Sequence, residues 1–346
     1  MPKTKSANTG FKKLIAKLHL WLGLGSGLIV LVVALTGCIF VFHDEIKDLT
    51  RDYRKVNPQN EVFATPSLLQ QKMKSLYPEA VPGMVVYQGR DRSAFVLTEI
   101  DESPHQIYFN PYSAEFLQKE NLEEDFFLLV EDLHMHLWLP EKIGKQIIGA
   151  STLIFVFMLI SGLILWWPKK RKNLKKRLQI KWNAKWRRLN YDWHRVTGLY
   201  ISLLALFIAL TGLSFSYEWM NKAFYDIANL GQEKTQDHLN IELEKDEVFA
   251  STAMDLALYE TLKIKPEDQM YFVWEQGDGL PIVTGSYPTA MHFDHQSNFY
   301  FHPSTGKMLK SHEYEEKSAG MKLQEMTYGL HTGQYFGTAG KIVAFL

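Results

Sequence analysis

Three apolar runs, each about as long as a bilayer is thick, constrain the fold of this chain more than any other feature. They contain no Asp, Glu, Lys, Arg or His, and they cover Leu20–Phe42, Ile147–Trp167 and Val196–Tyr217. A helix needs roughly 20 apolar residues to cross about 30 Å of hydrocarbon. Tryptophan and tyrosine lie at the ends of the runs, where their amphipathic rings favour the headgroup layer. The sequence therefore predicts an integral membrane protein with three complete membrane-spanning helices.

The charged residues are segregated between these runs, although the formal net charge of the chain is zero. Residues 1–19 carry five lysines and no acid, and residues 168–195 carry twelve basic residues and one acid. Segments 44–146 and 218–341 are acidic, with eighteen acids against eleven bases and nineteen against ten. Because loops rich in lysine and arginine stay in the cytoplasm, we expect both acidic segments to lie outside it. The basic loop between two spans indicates topology and contact with anionic lipid, not nucleic-acid binding.

The chain also matches itself, in stretches that follow the same order in both halves. The matched stretches are 18–37 with 193–212, Glu61–Ala64 with Glu247–Ala250, Tyr108–Pro111 with Tyr300–Pro303, and 133–145 with 330–341. Insertions in loops explain why the difference in residue number between matched stretches grows along the chain. The pattern predicts an internal tandem duplication in which each copy is a span, an outer segment and a second span. By this pattern a fourth span begins near residue 343, so we expect this sequence to contain only its start, Ile342–Leu346.

Each outer segment shows the spacing of a helix followed by short strands. Helices are predicted at Pro66–Tyr77 and Ala250–Leu262, and strands at Gly83–Tyr87, Ala94–Thr98, Gln106–Phe109, Gln269–Trp274, Pro281–Gly285 and Phe299–Phe301. Each copy thus predicts a helix packed on a small antiparallel sheet. The predicted divisions are a basic cytoplasmic N-terminus (1–19), a first span (20–43), an outer domain (44–133), a second span with its lead-in (134–167), a basic loop (168–195), a third span (196–218), a second outer domain (219–329), and the lead-in and start of a fourth span (330–346).

Four of the twelve histidines occupy equivalent positions in the two copies. His19 and His194 lie at the cytoplasmic ends of the first and third spans, and His134 and His331 lie just outside the second and the expected fourth span. A lone histidine at a membrane boundary is more often a hydrogen-bonded residue than a ligand, but retention in both copies favours ligands. Neutral imidazole binds a metal through one nitrogen while the other donates a hydrogen bond. We therefore predict one or two non-covalent haem b groups, held by His19 with His194 and by His134 with His331.

Two further histidines near the outer ends of the spans are alternative ligands, His43 and His136. His134 and His136 cannot both face one centre, because residues i and i+2 point to different sides of a helix. The glycines near the first and third spans, among them Gly23, Gly27 and Gly198, would admit either a macrocycle or a close helix.

Other kinds of site lack their motifs. The single cysteine excludes a CxxCH attachment of c-type haem. The sequence has no nucleophile triad, phosphate loop, dinucleotide fingerprint or HExxH motif. An electron donor must then be a separate molecule, either a membrane quinol or a cytosolic reductase.

On these residues the chain resembles the PepSY-associated transmembrane family of bacterial inner membranes, also called iron-regulated membrane proteins. The motifs that carry the resemblance are Leu18–Gly23, Thr36-Gly37, Leu133-His134, Gly144-Lys145, Trp166-Trp167, Trp193–Gly198, Thr211-Gly212 and Leu330–Gly333. The resemblance covers nearly the whole chain. It implies an α-helical membrane bundle carrying two extracytoplasmic α+β PepSY-like domains. It also implies similarity to haem-containing reductases that pass electrons outward to ferric siderophores.

The sequence therefore favours an inner-membrane b-type haem protein that carries electrons from the cytoplasmic side to a periplasmic ferric chelate. As an enzyme it would be an oxidoreductase of the ferric-chelate reductase type. The expected partners are a ferric siderophore or other ferric chelate, a separate electron donor and membrane lipid, with a homodimer left open. The alternative is a membrane-anchored PepSY module that binds peptide or protein, as a regulator or sensor, without redox activity. A transporter is disfavoured, because the spans have no buried acid and no helix broken by proline.

Overall fold

The structure is a computed structural model that describes residues 7–168, 171–238, 241, 243, 249–277 and 279–346. Three parts of the predictions lie outside the described residues. They are residues 1–6 of the basic N-terminus, Lys169-Lys170 of the basic loop and Glu247-Val248 of the second repeat.

The secondary structure alternates long apolar helices with helix–strand segments. The helices are α1 (Ala7–Phe40), α2 (His43–Thr50), α3 (Pro66–Leu76), α4 (Phe126–His136), α5 (Glu141–Trp166), α6 (Leu174–Arg177), α7 (Trp186–Ser216), α8 (Glu218–Ala228), α9 (Ser251–Ile264), α10 (Ala319–Thr332) and α11 (Gly337–Phe345). The strands are β1 (Val81–Tyr87), β2 (Ala94–Ile100), β3 (Ser103–Phe109), β4 (Phe116–Asn121), β5 (Met270–Glu275), β6 (Ile282–Tyr287), β7 (Ser297–Phe301) and β8 (Met308–His312). Both predicted outer helices and all six predicted strands are confirmed, and each of their ends agrees to within three residues.

The chain divides into two compact units. The helical unit contains the chain up to Ile39, Glu131–Asn221 and Ile342–Leu346, and the sheet unit contains Phe40–Val130 and Lys222–Lys341.

Among the described residues, three helices of the helical unit are long and apolar enough to cross a membrane, which confirms the three predicted spans. They are Gly10–Phe40, Glu141–Trp166 and Trp186–Ser216. Two of them begin about ten residues before the predicted apolar runs, so His19 and His194 lie inside helices and not at their ends. Hydropathy marks only the segment that suits hydrocarbon, whereas Lys, Leu and Ala continue a helix into water at little cost.

Basic side chains complete the C-terminal end of α5, where the last four carbonyls of a helix lack partners within it. The Lys12 ammonium donates to the carbonyl oxygens of Ile164 and Trp167, each at 3.1 Å. The Arg177 guanidinium donates to the carbonyl of Trp166. Cations suit this position because the helix dipole places partial negative charge there.

The sheet unit contains one antiparallel sheet of eight strands in the order β4-β3-β2-β1-β5-β6-β7-β8. The first outer segment supplies one half and the second supplies the other, and they join where Val85 pairs with Val273 and Tyr87 with Tyr271. This differs from the two separate outer domains, 44–133 and 219–329, that the sequence predicts. Each small sheet alone would expose the unpaired backbone groups of its first strand, and the pairing of β1 with β5 satisfies them.

Helices α3 and α9 cover one face of the sheet and bury its apolar side chains. Leu69 and Met73 of α3 and Met254 of α9 are fully buried, together with Val85 and Val273 at the junction of the halves. A hydrogen-bonded link also joins the helices, because the Ser67 backbone N–H and hydroxyl donate to the two carboxylate oxygens of Asp255, at 2.9 and 2.5 Å. The two segments therefore share one hydrophobic core.

A charged cluster holds α2 against the loop that leads into β2. The Asp48 carboxylate accepts hydrogen bonds from the Arg54 Nε at 2.8 Å and from both Arg92 terminal nitrogens at 2.9 and 2.5 Å. Burial by itself raises the pKa of the Asp48 carboxyl. The hydrogen bonds from Arg92 and Arg54 outweigh burial and hold that pKa below its ordinary value.

The shared core leads to a first prediction. Replacing Leu69 with Ala leaves a cavity between α3 and the sheet and lowers the free energy of unfolding by about 3 kcal/mol. Because both halves share the sheet, we expect amide hydrogen exchange to speed up in β5 and β6 as well as in β1 and β2. Hydrogen-exchange mass spectrometry checks this, with the exposed Leu49→Ala as the control. Faster exchange confined to β1 and β2 would show that the halves unfold independently.

The Asp48 cluster leads to a prediction about pH. Because its folded-state pKa is depressed, Asp48 stabilises the fold fully above the ordinary aspartate value of about 3.9, and loses this contribution as the pH falls through the folded-state value. We expect Asp48→Asn to cost about 3 kcal/mol at neutral pH. The difference from wild type should shrink in acid below the ordinary value. Thermal unfolding in detergent at several pH values measures both, with the exposed Asp52→Asn as the control. A difference that persists unchanged in acid contradicts this account.

Candidate functional site

The predicted inner pair of histidines lies close together in the helical unit. His19 on α1 and His194 on α7 have ring centroids 6.1 Å apart, and their planes make an angle of 64°. The His19 ring is half-buried and the His194 side chain is exposed. The two residues come from the two copies of the repeat, so the structure brings together the pair that the repeat predicts.

A third helix holds one of these rings. The His19 Nδ1 lies 2.9 Å from the hydroxyl oxygen of Ser161 on α5, which is 1% exposed. The Ser161 hydroxyl in turn donates to the carbonyl of Met158 at 3.1 Å. The side chains of His19, Ser161 and His194 thus bring α1, α5 and α7 together at one level of the bundle.

His134 on α4 is held against α1 in a similar way. Its Nδ1 donates to the carbonyl of Val33 at 3.0 Å and lies 3.1 Å from the Thr36 hydroxyl oxygen. The Thr36 hydroxyl uses its own proton on the carbonyls of Val32 and Val33, at 2.8 and 3.0 Å. His134 therefore has a defined orientation on the first span.

A glycine lies beside each of these two rings. A Cβ atom at Gly162 would lie 3.3 Å from the His19 Cε1, and one at Gly37 would lie 3.2 Å from the His134 Cε1. Both distances are tighter than ordinary van der Waals contact. In Ser161-Gly162 and in Thr36-Gly37 a glycine follows the hydroxyl residue. Because glycine has no side chain, it leaves space for the imidazole ring.

The remaining predicted ligands lie elsewhere. His331 is on α10, where it belongs to the sheet unit, so its pairing with His134 stays a prediction. His43 begins α2, where its Nδ1 donates to the Phe40 carbonyl at 2.8 Å and its ring stacks on Phe40 with centroids 4.2 Å apart. His136 bonds to the Asp132 carboxylate at 2.8 Å, one turn earlier on α4. His43 and His136 are thus occupied by local partners.

The glycines of α1 and α7 differ in how much free space lies beside their backbone. A Cβ at Gly23 would lie 2.7 Å from the methyl group of Met158, whose flexible side chain lies against α1 at this point. At Gly25, Gly27 and Gly198 a Cβ would meet nothing within 4 Å. The α7 surface one turn beyond His194 is therefore open.

No group of three or more His, Cys, Asp or Glu side chains that could hold a metal ion is found among the described residues. A site made only of protein ligands is therefore not apparent in this part of the chain. Two axial imidazoles are enough for haem, because the porphyrin supplies the other four nitrogen ligands.

Ser161 and Gly162 are the functional candidates that sequence reasoning missed. The repeat drew attention to Thr36-Gly37 and Thr211-Gly212, whereas Ser161-Gly162 has no described repeat partner. The available signal was chemical, since a hydroxyl residue followed by glycine inside an apolar run resembles Thr36-Gly37.

Sequence reasoning also missed a buried ion pair in the sheet unit. The Lys317 ammonium, 1% exposed, donates to Glu325 at 2.6 Å, to the Gln296 carbonyl at 2.7 Å and to the Asn298 side chain at 2.9 Å. Burial lowers the pKa of Lys317 and raises the pKa of Glu325, and the ion pair opposes both effects. All three donors of the ammonium are satisfied, so its role is structural.

The comparisons with known proteins agree with the resemblance found in the sequence. A search of the curated proteins returned no match. The family model described as the PepSY-associated TM region matches residues 16–346, a stretch that includes both histidines of the inner pair and both of the predicted outer pair. With three helices able to cross a membrane and a family match over nearly its whole length, the chain is a membrane protein that belongs to the PepSY-associated TM family.

Proposed function

We propose that this protein is a b-type haem protein of the bacterial cytoplasmic membrane that passes electrons outward to a ferric chelate. The observation that carries the proposal is the approach of His19 and His194, at 6.1 Å between ring centroids, inside a bundle of apolar helices. Ionisable side chains in such helices are costly and mark functional sites by default.

The spacing of the two rings fits ligands on opposite sides of one iron. Two imidazoles that share a metal have ring centroids about 6.2 Å apart, since each metal–nitrogen bond is about 2.0 Å and the nitrogen lies about 1.1 Å from its ring centre. The observed separation is 6.1 Å. The open surface at Gly198, one turn from His194, offers room for a macrocycle.

Bound haem would supply a carrier that gains and loses one electron, Fe(III) to Fe(II) and back. His19 and His194 would both hold the iron, which suits electron transfer rather than substrate binding at the metal. The Ser161 hydroxyl would orient His19. The second proposed pair, His134 with His331, would hold an outer haem.

A ferric chelate suits such a chain as the electron acceptor. Fe(III) prefers hard oxygen donors, and Fe(II) binds them less tightly, so reduction releases the iron. The basic segments favour a cytoplasmic N-terminus and a cytoplasmic loop after α5, and the sheet unit would then lie in the periplasm. The donor would be a quinol or a cytosolic reductase, because the chain shows no nucleotide motif of its own.

Repeated features of both units support the duplication on which the histidine pairing rests. The sheet runs outward from its centre as β1 to β4 on one side and β5 to β8 on the other. A Cβ at Gly144 would meet the His136 carbonyl at 2.0 Å, and one at Gly340, its equivalent in the repeat, would meet the Gly333 carbonyl at 2.1 Å. Only glycine permits this approach, and the same contact occurs in both copies.

Peptide binding by the sheet unit is the second candidate. A surface groove is lined by residues from both copies, among them Phe63 and Arg90 of the first and Tyr259 and Lys263 of the second. Apolar rings beside two cations suit an acidic peptide with apolar side chains. This function needs no haem, so the colour of the protein distinguishes the two candidates.

The haem proposal predicts a coloured protein. Purified in detergent from cells supplied with haem, it should show the sharp absorption bands of low-spin, bis-histidine haem. His19→Ala and His194→Ala should each abolish the inner haem, which removes half of the absorbance if two haems bind and all of it if one binds. His238→Ala, an exposed histidine of the sheet unit, is the control and should keep the spectrum. A colourless wild type, or unchanged haem content in both variants, rejects the proposal.

The direction of electron flow leads to a separate prediction. When ferric citrate is added to the dithionite-reduced protein under anaerobic conditions, the reduced absorption bands should disappear and Fe(II) should accumulate in proportion. An Fe(II)-specific dye measures the product, and a stopped-flow spectrometer measures the loss of the bands. Gallium citrate, which is similar in charge and size but does not accept an electron under these conditions, is the control. Bands that stay reduced after ferric citrate is added would exclude ferric chelates of this kind as acceptors.

A further inference from the structure

We propose that Ser161-Gly162 and Thr36-Gly37 are positioning pairs that fix His19 and His134 in one tautomer, with the proton on Nδ1 and the lone pair on Nε2. The inference rests on the proposed function, because it identifies Nε2 as the nitrogen that would bind iron. It goes further in assigning roles to four residues that are not themselves ligands.

The tautomer of His134 follows from its partners. A carbonyl oxygen can only accept, so the 3.0 Å contact between the His134 Nδ1 and the Val33 carbonyl requires a proton on Nδ1. The Thr36 hydroxyl has one proton, and it donates to helix carbonyls at 2.8 and 3.0 Å. Towards His134 the hydroxyl therefore acts as a second acceptor, at 3.1 Å. The neutral ring is left with its lone pair on Nε2.

The tautomer of His19 follows from a chain of two hydrogen bonds. If the His19 Nδ1 carries the proton, it donates to the Ser161 hydroxyl, which donates to the Met158 carbonyl, and both contacts of 2.9 and 3.1 Å are made. If Nδ1 has no proton, the hydroxyl must turn towards it and the bond to Met158 is lost. Because Ser161 is buried, at 1% exposure, an unmade bond there costs about 1–3 kcal/mol. The arrangement with two bonds is therefore favoured.

The glycines set the position of each ring. In both pairs the residue after the hydroxyl is a glycine, and a Cβ there would lie only 3.3 or 3.2 Å from the imidazole Cε1. Since Cε1 is bonded to both ring nitrogens, a methyl group at this point would require the ring to shift by a few tenths of an ångström relative to its hydroxyl partner. The hydroxyl fixes the rotation and the protonation of the ring, and the glycine allows its approach.

The same arrangement at two histidines favours a shared role over chance packing. The two rings belong to different helices and rest on different spans, yet the partner is a hydroxyl residue followed by glycine in both. Metal-binding histidines usually donate their second nitrogen to a fixed acceptor, and loss of that acceptor typically weakens metal binding 10- to 100-fold. Ser161 and Thr36 supply such acceptors.

The test compares Ser161→Ala and Ser161→Thr with wild type in the full chain. Ser202→Ala is a matched control, because Ser202 is also buried in a span and donates to a carbonyl three residues earlier, at 2.8 Å, and it has no hydrogen bond to a histidine among the described residues. Nitrogen-15 NMR of histidine-labelled protein prepared without haem reports which ring nitrogen carries the proton. Haem titration gives the affinity, and a redox titration with electron paramagnetic resonance gives the potential and the ligand geometry.

We expect Ser161→Ala to mix the two tautomers of His19, to weaken haem binding roughly 10- to 100-fold and to shift the reduction potential. Ser161→Thr should restore all three properties, and Ser202→Ala should change none. Gly162→Ala should weaken haem binding while keeping the hydroxyl. Thr36→Val and Thr36→Ser make the same comparison at His134.

The outcomes separate this inference from the proposed function. If wild type binds haem and Ser161→Ala keeps its tautomer, affinity and potential, the positioning role is overturned and the haem proposal stands. If wild type binds no haem, the proposed function fails, and the NMR comparison still decides the tautomer. In that case the positioning role is supported if wild-type His19 has a single Nδ1–H form and Ser161→Ala disrupts it. The role is overturned if Ser161→Ala leaves this form unchanged, or if wild type already contains a mixture of the two tautomers.

Discussion

Hydrocarbon offers no hydrogen-bond partners, and this constraint shapes the arrangement of the buried hydroxyl groups in the three long helices. An unpaired polar group there costs several kcal/mol, so each one must bond within the protein. The hydroxyl groups of Ser26, Thr36 and Ser202 donate hydrogen bonds to backbone carbonyls three or four residues earlier in the same helix. Ser161 does the same, which leaves its oxygen available as an acceptor for a neighbouring helix. The constraint thus turns an ordinary buried hydroxyl into a fixed acceptor for His19.

The same demand for partners joins the two outer segments. A four-stranded meander has two edges, and each edge exposes a row of backbone donors and acceptors. The outer edges are formed by the short strands β4 and β8, whereas the inner edges, at β1 and β5, are apolar and pair with each other. Apolar side chains such as Val85 and Val273 are then covered from one side by α3 and α9. Joining the halves therefore satisfies the backbone and buries apolar surface in one step.

The sequence predicted those features that depend on local pattern. Three ion-free runs identified the spans, and alternating apolar residues identified six strands. The strands it missed, β4 and β8, are polar edge strands such as FLQKEN, in which neither face is buried enough to impose alternation. The pairing of β1 with β5 was missed for a different reason, since it joins residues nearly two hundred positions apart and leaves no local trace.

The candidate site also contains one feature that the sequence predicted and one that it did not. The repeat predicted that His19 and His194 would meet, because equivalent residues of a duplicated bundle tend to face each other across its pseudo-symmetry axis. Ser161 escaped this reasoning, because its contact with His19 depends on how α5 packs on α1 and not on any repeat. The starts of α1 and α7 were placed too late, since hydropathy records the lipid boundary and a helix continues through it.

The two histidines of the inner pair are held unequally, and this difference suits a site that must admit a large group. His19 is fixed through Ser161 and lies against Gly162. The loss of conformational entropy on ordering this side chain therefore occurs when the protein folds and not when a ligand binds. His194 is exposed and lies next to the open surface at Gly198. If both rings were fixed at 6.1 Å, the helices would have to separate before a macrocycle could pass between them. If the pair binds haem as proposed, the fixed His19 would set the position of the group, and the adjustable His194 could turn aside to admit it.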